Sequence, residues 1–333
     1  MNRWILPVCL LFLLASCDHD SSSGGKHSKK ILQAPPYAGV TDSIREFPKQ
    51  GDLYLRRAVL LSQHNEHELA NEDYSKAWSL NPDESTATLY VSNLLMVEDL
   101  RGAINLLEDC IKRFPGNRDF MRRLGEIYVQ TGQQAKAMRQ FDEQLAKDSA
   151  DFEAWYEKGQ LLSQLQDTAG AIYALRKAYK LLPINHTGVA LANIYAASLN
   201  PAAITICNEL IAKDTAGIQT DPFFIKGTYY SDTHQYDSAL KAFEECIKRD
   251  WKFTDAYIEK GIVLYEQNHY DTALSVFAMA ATVSNTNADA YFWMGRCYEK
   301  KGNTDEAIQN YQRAVSLDRN FKEAMEAIRR LRK

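Results

Sequence analysis

Residues 121–141 read MRRLGEIYVQTGQQAKAMRQF, and the spacing inside this stretch decides the fold. Met121, Leu124, Gly125 and Tyr128 fall three and four apart, and Ala137 and Phe141 do the same after a polar turn. Positions three and four apart share one face of a helix, so the stretch predicts two short amphipathic helices folded back on each other. The pattern repeats along the chain. Gly125, Gly159, Gly227, Gly261 and Gly295 lie 34 residues or twice 34 apart, with Asn193 at the vacant step. A second ladder, Ala103, Ala137, Ala171, Thr205, Ala239, Ala273 and Ala307, keeps the same period. Two ladders in one phase make every period a helical hairpin. Glycine inside a helix costs about 1 kcal/mol relative to alanine, so its recurrence implies a close approach to the helix backbone.

Proline closes several periods, at Pro48, Pro82, Pro115 and Pro183, where it ends a helix that it cannot continue. The succession of a large apolar residue, Leu-Gly, Tyr, Ala, Phe and Pro at this period resembles the tetratricopeptide repeat. The resemblance covers Gly51 to Phe321. It implies an all-α, right-handed α-solenoid of about eight helical hairpins, read as 51–83, 84–117, 118–151, 152–185, 186–219, 220–253, 254–287 and 288–321. Residues 41–50 keep the phase of a second helix and are expected to form a half-repeat cap, and 322–333 a charged capping helix. The period 186–219 departs from the pattern. Ala192 and Tyr195 sit one residue early, Ala203 and Cys207 two early, and Asn200-Pro201 is expected to shorten the inter-helix turn. Drift in one repeat and a functional bend or surface both account for this.

The first residues differ from the rest. Met1 to Arg3 is basic, Ile5 to Leu14 is apolar apart from Pro7, and Leu14-Ala15-Ser16-Cys17 follows, which reads as a secretory signal peptide over 1–16. Ten apolar residues are too few to cross a bilayer, which takes about 20. The small residues before Cys17 resemble the bacterial lipobox, which implies cleavage before Cys17 and its acylation; the alternative is a plain cleaved signal with an incidental cysteine. Residues 17–40 are expected to be a lipidated cysteine and a flexible tether, holding the folded part about 25 Å from the membrane if coil-like. The resemblance implies a lipid-anchored protein of the bacterial cell envelope, at the outer rather than the inner membrane, with its folded part in the periplasm or at the cell surface. Asp18 resembles an inner-membrane retention signal of enteric bacteria, but other bacteria read acidic residues there differently.

The chain is 45 % hydrophobic and 25 % charged, as in ordinary globular proteins, and its formal charge of −4 leaves no basic excess for nucleic acid. Cys110 and Cys246 occupy a position held by Ala178, Ala280 and Ala314, and Cys207 falls in an aromatic core slot, so these cysteines read as small buried residues. No paired cysteine spacing for zinc occurs. The polar turn His64-Asn65-Glu66-His67-Glu68 matches neither HExxH nor HxxEH. No phosphate loop and no GxSxG elbow is present, so neither enzymatic activity, a cofactor, a metal nor a small-molecule substrate is expected.

What the family resemblance implies instead is a protein-binding groove lined by the first helix of each hairpin. Its fifth slot holds Leu55, Thr88, Arg122, Tyr156, Val189, Phe224, Ile258 and Phe292, and its ninth Val59, Ser92, Glu126, Gln160, Asn193, Thr228, Ile262 and Arg296. The Lys and Asn pair with which chaperone-binding relatives grip a terminal carboxylate is missing. Tyr156, Phe224, Ile258, Ile262, Tyr265 and Phe292 make an apolar stripe expected to take a hydrophobic helix or extended segment of another protein. Acidic residues at the second slot, among them Asp52, Asp221, Asp255 and Asp289, are expected to cap helix amino termini. The expected role is a membrane-anchored scaffold for protein partners; the alternative is a structural component that associates with itself.

Overall fold

The structure is a computed structural model that describes residues 30–332. The signal peptide, Cys17 and most of the expected tether lie outside the described residues. Eighteen α-helices follow one another and no strand occurs among the described residues. Helix Ala38–Glu46 precedes eight successive helix pairs, which run from Gly51–Gln63 with His67–Leu80 to Ala288–Lys300 with Thr304–Leu317. Lys322–Leu331 closes the series. Helices preceding a proline stop short of it, as at Leu80 before Pro82, Arg113 before Pro115 and Leu181 before Pro183. Proline disfavours helical geometry in the residue ahead of it.

The chain divides into two compact units, Met1–Ile127 and Tyr128–Lys333. In the first, Tyr37, Ala58, Leu61, Ala70 and Tyr74 form a buried core, with Ile31 and Leu32 packed against it. Ile31, Leu32 and Tyr37, expected to belong to a tether that ends at residue 40, are instead packed on this core because they have apolar surface to bury. Arg57 and Asp73 form a buried two-pronged ion pair at 2.6 and 2.7 Å. Arg57 Nη1 also donates to Thr41 Oγ1 at 3.0 Å, and that hydroxyl donates to the Leu32 carbonyl at 2.8 Å. Breaking one partner out of a buried pair costs about 3–5 kcal/mol, so this chain of bonds fixes helix Ala38–Glu46 on the first hairpin.

In the second unit the glycine ladder acquires its reason. Each ladder glycine of this unit faces the residue sixteen positions on, in the paired helix. A Cβ on Gly227 would lie 2.4 Å from the Phe243 ring, on Gly261 2.4 Å from Phe277, on Gly295 2.7 Å from Tyr311 and on Gly159 2.7 Å from Leu175. Phe243 and Phe277 are wholly buried. The close approach is a ring of the second helix laid on the bare backbone of the first. The alanine ladder lies beside it, with Ala171, Ala239, Ala273 and Ala307 at 0 % exposure.

The turn inside every hairpin holds one residue in the left-handed region: Asn65, Glu98, Gly132, Gln166, Leu199, His234, Asn268 and Gly302, with φ between 51° and 81°. Only two are glycine, so this third ladder is silent in the sequence. At the irregular hairpin the left-handed residue comes one position early, at Leu199. The expected shortening of that turn does not occur. Residues 198–201 separate Asn185–Ala197 from Ala202–Lys213, one residue more than in the neighbouring hairpins. Pro201 sits just ahead of the second helix with φ −63°, and the helix ends early at Lys213. A seven-residue loop, 214–220, restores the phase. Asp214 holds it by accepting from Gly217 N at 3.0 Å and Gln219 N at 2.9 Å. Ala203, wholly buried, fills the alanine slot here, and Thr205 is exposed.

Gly227→Ala should destabilise the protein by about 1–3 kcal/mol, because the Phe243 ring has to move. Gly39→Ala, with nothing within 4 Å of the added carbon, should not. Urea unfolding of both variants measures the difference.

Candidate functional site

The first helices of successive hairpins touch one another through the second unit: Phe152–Gln164 meets Asn185–Ala197, which meets Asp221–Asp232, then Thr254–Glu266, then Ala288–Lys300. A pocket of about 640 Å³ opens on this layer. Its wall combines Tyr156, Gln160 and Ser163 of the first of these helices with His186, Val189 and Asn193 of the second, and Asp221 at the start of the third. The fifth and ninth slots of two neighbouring hairpins, Tyr156 with Gln160 and Val189 with Asn193, thus share one cavity. The Tyr156 and His186 rings lie 4.3 Å apart at 39°, and Gln160 Nε2 donates to the Tyr156 hydroxyl at 3.2 Å.

The other five stripe residues are distributed differently. Ile258 and Tyr265 are buried, at 8 and 9 % exposure, in one core cluster, with Ile262 packed against it. Tyr265 meets Trp293 edge to face at 5.3 Å, and the Arg296 guanidinium lies over both rings, at 5.1 and 4.9 Å. Phe224 contacts Phe253 at 5.1 Å and Phe243 at 5.8 Å. Phe292 contacts Phe321 at 4.8 Å and Tyr311 at 5.7 Å. Tyr265 and Trp293 join consecutive repeats and the other pairs pack within one, so much of the apolar surface that the sequence assigns to a groove is spent on packing. A second cavity of about 400 Å³ lies beside Phe292, between Arg296 and Arg330, with Glu299 in its wall. Arg330 and the Tyr311 hydroxyl both donate to Glu299, so that carboxylate is already paired.

The acidic second slots behave otherwise than expected. The residues that cap helices are Asp83, Asp99, Asp151, Asp167 and Asn287, two residues ahead of those slots or at the second helices. Asp52, Asp221, Asp255 and Asp289 lie inside the first turn, and their side chains make no hydrogen bond or ion pair among the described residues. Their contribution to the helices is a charge–dipole attraction alone. Nearby carboxylates oppose one another. Burial, and then Asp232, Asp255 and Glu266, hold the Glu259 carboxyl above its ordinary range. Burial, Asp255 and Asp318 do the same to Asp289.

Cys110, Cys207, Cys246 and Cys297 are free and buried. Burial pushes each thiol up to about 12. His64 is engaged with the Leu60 carbonyl at 2.8 Å and His67 with Asn93 Oδ1 at 2.9 Å. Among the described residues no group of three or more metal-ligating side chains converges.

Four matches to models of the tetratricopeptide repeat fall at 94–165, 152–185, 226–286 and 288–321, together more than half of the chain. The chain belongs to the tetratricopeptide repeat family. Among solved structures it is similar to a tetratricopeptide repeat protein from Parabacteroides merdae, with 14 % identity, a TM-score of 0.59, and coverage of 75 % of this chain and 98 % of that one. It is also similar to PilW, a type IV pilus biogenesis factor, at 15 % identity and a TM-score of 0.55, covering 63 % of this chain and 97 % of that one. A third is the Cut9-Hcn1 hetero-tetramer of the APC/C, at 15 % identity and 0.53, covering 93 % of this chain and 59 % of that one. At such identities the likeness concerns the fold. No curated protein matches the chain.

A carboxyl with a raised folded-state pKa favours the folded state below its unfolded pKa and loses that advantage as pH rises through the folded value. Glu259→Gln should therefore raise the urea midpoint at pH 7 and leave it unchanged near pH 4. The four described thiols should resist iodoacetamide at pH 8 in the native protein and all react in urea, as mass spectrometry of peptides would show.

Proposed function

We propose that this protein is a membrane-anchored adaptor of the bacterial cell envelope that holds a segment of a partner protein against its first-helix layer. Acyl chains on Cys17 supply the attachment, and the outer membrane is the location it serves. The observation that carries the binding reading is the pocket between Phe152–Gln164 and Asn185–Ala197, where four side chains at groove phases of the family line one cavity. Repeat proteins of this family commonly act through protein contacts, and a site of this kind needs no catalytic residue. Ser163 and Asn193 make no side-chain hydrogen bond among the described residues, and the Val189 side chain is half-buried, so polar and apolar contacts are both on offer. An extended or helical segment with alternating character would use them together. The stripe residues Phe224, Ile258, Ile262, Tyr265 and Phe292 support the layer from below more than they touch the partner.

Two measurements test the proposal. Cys17→Ser should move the protein from the membrane fraction to the soluble fraction and abolish palmitate labelling; retention in the membrane sinks the anchor. A photo-crosslinking residue at Asn193 should give a discrete adduct in intact cells, while the same residue at Met279, on a second helix, should not. Equal adducts from both positions would refute the groove reading, and an adduct of twice the chain mass would replace it with self-association.

A further inference from the structure

The pocket beside the irregular hairpin has a wall chemistry that selects among partner side chains. It contributes one carboxylate, Asp221, and no lysine or arginine. Asp221 is exposed and makes no ion pair or hydrogen bond among the described residues, so its charge is available. The same wall carries the Tyr156 and His186 rings, 4.3 Å apart. It also carries side-chain oxygens without donors. Gln160 spends its amide nitrogen on the Tyr156 hydroxyl, which leaves its carbonyl oxygen free. Ser163 and Asn193 make no side-chain hydrogen bond, and Asn185 Oδ1 is enclosed without any partner.

We infer that this pocket takes the cationic side chain, arginine or lysine, of the segment held on the first-helix layer; the inference rests on the groove reading above. A cation with several N–H donors satisfies each feature of the wall at once. It meets the Asp221 carboxylate in a charge-assisted hydrogen bond. Its face or head lies on the Tyr156 ring, a contact strongest where water is displaced. Its remaining N–H groups reach oxygens that an apolar side chain would bury unpaired. An anion finds the opposite, a repelling carboxylate with no lysine or arginine to offset it. The irregular period contributes to this wall, because its first helix begins one residue early relative to the preceding hairpin and brings Asn185, His186, Val189 and Asn193 to the same cavity as Tyr156.

The test uses the intact chain carrying a fluorinated tyrosine at position 156, followed by fluorine resonance. The probes are Nα-acetyl-arginine amide, Nα-acetyl-lysine amide and Nα-acetyl-citrulline amide, the last having the shape of arginine without its charge. The arginine or lysine probe should shift the Tyr156 signal saturably, with the citrulline probe at least tenfold weaker. Asp221→Asn, or Asp221→Ser should the first variant not fold, should remove that preference. The inference is overturned if citrulline binds as well as arginine, if neither cation shifts the signal, or if the Asp221 variants bind the cations unchanged. Crosslinks from Asn193 judge the groove separately: with crosslinks present and a charge-blind pocket, only the inference falls.

Discussion

The contact between an aromatic ring and a helix backbone stripped of its side chain is what the second unit depends on. Phe243 on Gly227, Phe277 on Gly261 and Tyr311 on Gly295 repeat one geometry, in which the ring is excluded from water and the two helices of a hairpin come within reach of each other. The buried alanines four residues before each ring follow from it, since a larger residue there would prise the pair apart. Neighbouring repeats then meet through further rings, such as Tyr265 on Trp293. A helix of thirteen residues gains little by itself. The helices of this protein persist because a neighbour covers them.

That economy explains which parts of the fold the sequence displays. A ring that must lie on glycine constrains residue type tightly, so Gly227, Ala239 and Phe243 announce themselves at their spacing. The left-handed turns constrain conformation, and Asn65, Gln166, Leu199 and His234 all comply with it, so no residue type marks them. The shift at the irregular hairpin was visible in Ala192 and Ala203, but its form was not. Compensation sits in the loop 214–220, held by Asp214 through backbone groups that have no sequence signature.

The binding surface was legible in part. Phase arithmetic places Tyr156, Gln160, Val189 and Asn193 on one face, and they do line one cavity. Phase cannot tell a side chain that faces a partner from one that faces the next repeat, and Ile258 and Tyr265 are of the second kind. What sequence reasoning missed is Asp221. Its place in the first turn suggested a cap, yet the cap positions are held by other residues or by none, and the carboxylate is left over.

The bond chain from Leu32 through Thr41 and Arg57 to Asp73 has a mechanical consequence. A pull on the amino-terminal side of Ala38 reaches the first hairpin through oriented polar bonds rather than through apolar contact alone. Hydrogen bonds weaken steeply with small changes of distance and angle, whereas apolar surfaces separate gradually. This junction would therefore hold stiffly under tension and give way abruptly, and the hairpins behind it would keep their folds until it had done so.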